Sequence, residues 1–251
     1  MTMQTIIPNL ADAEYRALPG VSQSALKALA RSPAHYQHAL KNPVEATEAM
    51  QLGRIIHHLA LTPDVPPFWT VRPEGMDGRT KEGKAWAEAN AGSVQIKPDA
   101  ALRCTGTVAA VLAHPAWPGE GDAELSIAGT IDDAAVKGRL DLLHGGTIYD
   151  IKTTQDARPE AFARQFYNLK YHVQAAYYCD LAGVDDFVFL AVETDAPHGC
   201  VAYRVSSSAL EAGRTEYHRL LALWKSCTAS GKWPCYSPEV ETLNLPAWAS
   251  A

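Results

Sequence analysis

The chain has 251 residues, 47% of them hydrophobic, and a formal net charge of −6. That length and apolar content support a real core in one large domain or two small ones. The negative balance opposes a role as a nonspecific nucleic-acid coat, although not a local basic groove beside an acidic site. The apolar runs are too short to span a membrane. The opening MTMQTIIPNLADAEY lacks a basic stretch followed by a long apolar core, so no signal peptide is expected. Five cysteines (104, 179, 200, 227, 235) are scattered and form no C-x-x-C pair. Such usage suits a reducing cytoplasm and speaks against a disulfide framework, a zinc ribbon or an iron–sulfur cluster.

In chain order, residues 1–20 read as an extended arm. Ser22 or Ser24 can cap a first helix over SALKALARS, and Ser32-Pro33 starts a second, with proline in its first turn. EATEAMQLGRIIHHLALT, 45–62, carries apolar residues at helical spacing. Residues 68–71 suit a short strand and 72–80 a polar loop; helices are expected near 80–91 and 99–113. Strands dominate 122–152. Pro159 opens a helical stretch, 171–183 is a helix with a glycine stop, two further strands follow, and Ser206 to Gly231 reads as a long helix. This order predicts one α+β domain with a helical N-terminal elaboration.

The most informative stretch is VKGRLDLLHGGTIYDIKTT. Gly145-Gly146 between two strand-like runs reads as a tight hairpin loop. His144 then faces Thr147, Leu143 faces Ile148, and Asp141 faces Asp150. Period-two alternation sets Lys152 on the face of Asp150. Opposed like charges destabilise a bare sheet. A divalent cation between them, with a lysine beside it, is the chemistry of phosphodiester hydrolysis. The acid-x-Lys tripeptide alone carries little weight: 28 acids and 10 lysines yield roughly one chance match. Glu82-Gly-Lys84 is a second match, in a polar stretch. An ordinary hairpin with Asp and Lys paired at a sheet edge has the same sequence.

Other candidates are weaker one by one. His57 follows Gly53 by four residues on one helix face, and a helical histidine can ligate metal through one ring nitrogen. His58 points about 100° away. Glu124, opening the first strand of the hairpin region, is either an oxygen ligand or a strand-end charge. Gln174 and Tyr178 are neighbours on one helix face. Arg79, Lys81 and Lys84 lie beside a glycine at a helix start, where phosphate contact is possible and ordinary surface equally so. Arg158, Arg164 and Lys170 form a second basic cluster.

Taken in order, G-x-x-x-H, Glu, Arg-x-Asp, Asp-Ile-Lys and Q-x-x-x-Y resemble the PD-(D/E)xK nuclease superfamily in its recombination-exonuclease branch. The likeness is greatest to the C-terminal nuclease region of the RecE (exonuclease VIII) family. VSQSALKALARSPAHYQ, GRIIHHLAL, RTKEGKAW, AELSI, GRLDLL, YDIKTT and YHVQAAYY carry it, over about residues 20–190. The PD proline is replaced by Leu140, and the C-terminal cysteine set of related cluster-bearing nucleases is missing.

The resemblance implies a restriction-endonuclease-like core, a central mixed sheet flanked by helices. It divides the chain into an arm (1–20), a helical N-terminal part (21–115), a nuclease core (116–235) and a tail (236–251). It implies Mg²⁺, with Mn²⁺ as substitute, held by His57, Asp141, Asp150 and the Ile151 carbonyl. Lys152 would be the catalytic lysine, with Glu124, Gln174 and Tyr178 supporting it. Arg79, Lys81 and Lys84 would touch DNA. The implied activity is 5′→3′ degradation of one strand of linear double-stranded DNA, leaving 3′ single-stranded tails for phage-type recombination. A ring-shaped homo-oligomer, tetramer or trimer, and a RecT-type single-strand annealing partner come with it. An endonuclease, a RecB-type module and an inactive DNA-binding or assembly protein are the rival readings.

Overall fold

A computed structural model describes residues 4–8 and 10–245. The first part of the chain contains β1 (Thr5–Ile7), α1 (Asp12–Ala17), β2 (Val21–Ser22), α2 (Gln23–Leu29), α3 (Pro33–Lys41) and α4 (Glu48–Leu61). Next come β3 (Trp69–Val71), α5 (Lys81–Ala89), β4 (Val94–Ile96) and α6 (Pro98–Leu112). The long strands follow: β5 (Asp122–Ile131), β6 (Ala134–His144) and β7 (Thr147–Thr154). The chain closes with α7 (Pro159–Asn168), α8 (Tyr171–Ala182), β8 (Asp186–Glu193), β9 (Cys200–Arg204) and α9 (Ser207–Ser230).

Local chemistry sets the helix starts. Ser22, Ser32, Thr47, Thr80 and Ser206 each accept a backbone N–H three residues on, and Pro33, Pro98 and Pro159 open their helices. Gly183 and Gly231 end α8 and α9 in the left-handed conformation.

The main sheet runs β1-β5-β6-β7-β8-β9, with β2 added beside β6. It is mixed: β7 pairs β8 in parallel, whereas β5, β6 and β7 form an antiparallel meander. β8 is buried on both faces, with Phe187, Phe189 and Ala191 turned to one core and Val188, Leu190 and Val192 to the other. Such two-sided burial explains the unbroken apolar run DFVFLAVE. The first core joins α2, α3, α7, α8 and α9 to the sheet; the second joins α4 and α6. β3 and β4 form a separate parallel pair.

The arm expected over 1–20 is not merely extended. β1 pairs antiparallel with the edge of β5, and α1 follows it. Three apolar-edged residues are too few for a readable alternation, and α1 buries no residue. The final residues of the expected tail lie outside the described residues.

Two helices meet closely at Gly213, where a Cβ would lie 2.2 Å from the His172 carbonyl oxygen of α8. Backbone cannot retreat as a side-chain tip can. Gly213→Ala gains about 1 kcal/mol of helix propensity but overpacks this contact. A net loss of about 1–3 kcal/mol is expected in chemical denaturation.

Candidate active site

The site begins with a break in the sheet. β6 and β7 pair as Leu142–Tyr149, Leu143–Ile148 and His144–Thr147, the register read from Gly145-Gly146, but the expected Asp141–Asp150 pair is not part of the ladder because the strands part before it. Their ladder stops there. Farther along the same edge of β6, β2 takes over at Val136 and Lys137. Asp141 sits in the gap between, and its carboxylate takes the place of ladder partners: Oδ2 accepts the Ile151 N–H at 2.9 Å.

Both β5 and β6 change face at this level. Leu140 and Leu142 are two apart, yet they pack into different cores, as do Leu125 and Ala123. Residues at that spacing in a regular strand share one face. The switch occurs at Asp141 and at Glu124, whose φ of +48° lies in the left-handed region that a residue with a Cβ rarely adopts. Glu124 therefore does not open its strand, as the sequence suggested; it is the third residue, held at a kink.

Four elements deliver charge to this fork. From α4, His57 places Nδ1 3.3 Å from Asp141 Oδ2 and Nε2 2.9 Å from the Ile151 carbonyl oxygen. From β7, Asp150 is only 2% exposed and pairs with Lys152, while Gln174 of α8 donates to Asp150 Oδ2 at 2.6 Å. The Lys152 ammonium lies 5.0 Å from the Tyr171 ring centroid. Tyr178 packs against Gly138, where a Cβ would come within 3.0 Å of its ring.

Burial and mutual charge tune these groups. Burial works against His57 protonation, but Asp141 beside it prevails and lifts its pKa to about 9. Burial raises Asp141, whereas His57 and the Ile151 N–H draw it below the usual carboxylate range. Asp150 is pushed up to about 6 by burial and by Asp141, against the pull of Lys152. Lys152 stays charged, since its carboxylates overcome the burial penalty. Glu124 rises to about 7 through burial and the Asp141 charge. Burial drives Tyr178 far up, so it remains protonated.

Among the described residues no three His, Cys, Asp or Glu side chains converge as a ready-made metal cluster. The donors are tied to one another instead. Two features nevertheless fit a hard cation. Asp150 Oδ1 is buried with only the Lys152 charge beside it and accepts no well-formed hydrogen bond. His57 Nε2 and the Ile151 carbonyl oxygen, hydrogen-bonded to each other at 2.9 Å, are a nitrogen and an oxygen donor that a divalent cation would bind once the imidazole gives up its proton.

The fork opens into a cleft of about 610 Å³ lined by Tyr15, Arg54, His57, Glu124, Arg139 and Asp141. Arg139, the arginine of the Arg-x-Asp motif, was given no role of its own in the sequence reading. It bonds Ser126 Oγ at 3.0 Å and the Leu10 oxygen at 2.9 Å, and lies 4.0 Å from Glu124. Arg79, Lys81 and Lys84 are exposed and outside this lining, and Arg79 forks onto Asp77.

Residues 22–246 match a family described as a PDDEXK-like domain of unknown function (DUF3799). The chain belongs to that family. Its α+β fold, a mixed central sheet flanked by helices, is PDDEXK-like. A search of curated proteins finds no match. Among solved structures, a Eubacterium rectale protein named "Putative exonuclease" is similar at a TM-score of 0.62 and 13% identity, over 96% of this chain and 98% of that one. At that identity the likeness speaks for the fold alone.

Glu124 gives a pH test of the site. Its folded pKa near 7 exceeds the ordinary 4.5, so the folded state binds the proton more tightly, and stability falls as pH rises from 4.5 through 7. Glu124→Gln removes that loss. In EDTA, the melting temperature of the variant should gain on the parent between pH 4 and pH 8. A constant difference across that range would show that Glu124 ionises normally.

Proposed function

We propose that this protein is a divalent-metal-dependent nuclease, and specifically a 5′→3′ exodeoxyribonuclease on linear double-stranded DNA. The observation that carries the reading is the fork itself: Asp141, Asp150 and Lys152 meet where β6 and β7 part, with His57 closing the far side. The RecE-like polarity, 3′ tails for recombination, a tetrameric or trimeric ring and a RecT-type annealing partner rest on the motif resemblance.

His57, Asp141, Asp150 and the Ile151 carbonyl would hold the metal, Mg²⁺ or Mn²⁺. When bound, a divalent cation neutralises the scissile phosphate and eases deprotonation of water. Gln174 fixes the Asp150 carboxylate by holding Oδ2, which leaves Oδ1 toward Lys152. Lys152, charged and shielded by Tyr171, donates to the developing phosphate charge and orients the attacking water. It does not serve as the base while its pKa is raised. Glu124, which lines the same cleft as His57 and Asp141, is the carboxylate suited to accept the proton of that water. Tyr178 stays a neutral donor.

Asp141→Ala, Asp150→Ala and Lys152→Ala should each reduce Mg²⁺-dependent cleavage of end-labelled linear duplex by at least about 10²–10³-fold. Calorimetric titration with Mn²⁺ should show lost binding in the two aspartate variants and retained binding in the lysine variant. A covalently closed circle should resist the parent enzyme. Cleavage of the circle would make it an endonuclease, and no cleavage of either substrate would leave a DNA-binding protein.

Arg79, Lys81 and Lys84 are proposed to grip DNA outside the cleft. Because Asp77 already neutralises Arg79, the triple alanine variant should flatten the dependence of log affinity on log salt by about two phosphate contacts rather than three. Saturated turnover should change little. An unchanged slope would mark the three as solvated surface.

A further inference from the structure

α4 brings more than His57 to the cleft. Arg54 precedes His57 by three residues and His58 by four, so the three are neighbours on the helix surface. The Arg54 guanidinium lies 4.8 Å over the Phe68 ring. His58 and Trp69 meet that ring edge-on, with centroids at 5.7 and 5.2 Å. His58 Nε2 also bonds the Val65 carbonyl oxygen at 2.9 Å, which pins the loop leading into Phe68. His58 is thus a positioning residue for the ring.

Two features separate this pair from ordinary packing. Arg54 is exposed and, like Arg31, Arg72 and Arg164, has no ion pair among the described residues, whereas Arg16, Arg79, Arg158, Arg214 and Arg219 are each held by a carboxylate; of the four unpaired arginines, Arg54 is the one that lines the cleft. In a chain of net charge −6, an unneutralised guanidinium beside the cleft is available to an anion. The second feature is position. Arg54 and Phe68 line the cleft that holds His57 and Asp141, and they also line a second groove of about 500 Å³ with Gln51, Gly92, Ser93 and Gln95. They form the ridge between the two.

We propose that the Phe68–Arg54 pair is a nucleobase-stacking subsite over which a DNA strand passes between the candidate active site and the Gly92–Gln95 groove. The inference rests on the nuclease reading. Phe68 is half-buried, packed on the second apolar core with Arg54 over its ring; a base would stack on the exposed side of this pair, and stacking tolerates any sequence, as a nonspecific nuclease requires. The guanidinium reaches the flanking phosphate while holding the ring. The glycine at position 92 leaves the second groove open to backbone approach.

The test uses the full-length protein and a linear duplex with 2-aminopurine near the 5′ end of one strand, bound in Ca²⁺ and cleaved in Mg²⁺. The parent should quench the probe on binding. Phe68→Leu, which keeps apolar volume without a π-face, should abolish the quench and raise KM at least about 5-fold, with kcat altered less. Phe68→Trp should restore both. Arg54→Gln should flatten the salt dependence of binding by about one phosphate contact, whereas Phe68→Leu should leave that slope unchanged. Parent-like quenching and KM in Phe68→Leu, or an unchanged slope in Arg54→Gln, would overturn the subsite. A parent that neither binds nor cleaves the duplex would overturn the nuclease reading instead.

Discussion

The site depends on a single substitution of partners: the Asp141 carboxylate accepts the Ile151 N–H that a sheet would otherwise pair with backbone. Buried backbone donors must find acceptors. Two strands can therefore separate inside a protein only if something satisfies the groups they release. Here a side chain from one strand does so for the other, and the same carboxylate is thereby aimed into the gap. Elsewhere along the fork the Tyr177 hydroxyl, 2.8 Å from the Val21 oxygen and 3.0 Å from the Lys137 oxygen, satisfies carbonyls next to β2. These side chains replace part of the backbone ladder that the opening interrupts.

That opening concentrates charges whose burial is costly. Taking an ion pair out of water typically loses more than its mutual attraction returns, and an apolar replacement is often as stable or more so. Asp150 with Lys152, and Asp141 with His57, form two such pairs in contact, and Glu124 adds a third carboxylate at a strained backbone angle. A fold under selection for stability alone has no use for this arrangement. Strain and unfavourable charge gathered at one cleft are the usual mark of a functional site.

Much of this was legible in the sequence because the signals were local. Gly145-Gly146 set the hairpin register, Ser and Thr caps set the helix starts, and period two put Lys152 beside Asp150. The features that escaped notice depend on distant residues. β1 and β2 are two or three residues long and exist only because β5 and β6 offer them edges. The face switch at Glu124 and Asp141 cannot be seen in a linear pattern, since β5 and β6 mix apolar and charged residues without a regular alternation that a switch would interrupt. Arg139 did follow a readable rule, standing two before Asp141 on one strand. Its partners Leu10, Ser126 and Glu124 are contributed by other elements, so its place in the cleft was hidden.

The overall charge raises a last physical question, how an acidic chain would attract a polyanion. The answer lies in how its arginines are distributed. Most are bound to carboxylates at the surface, where such pairs contribute little stability and cancel the field that either partner would project. What survives at short range comes from the cations left without such a partner, and Arg54 is one that stands at the cleft edge. Screening confines each charge to about 10 Å at moderate salt, so the potential that a phosphate meets is set by these local residues and not by the sum of −6. On the nuclease reading, an unneutralised cation at the cleft edge, with the proposed grip of Lys81 and Lys84 outside it, would draw a strand end toward the fork without a globally basic surface.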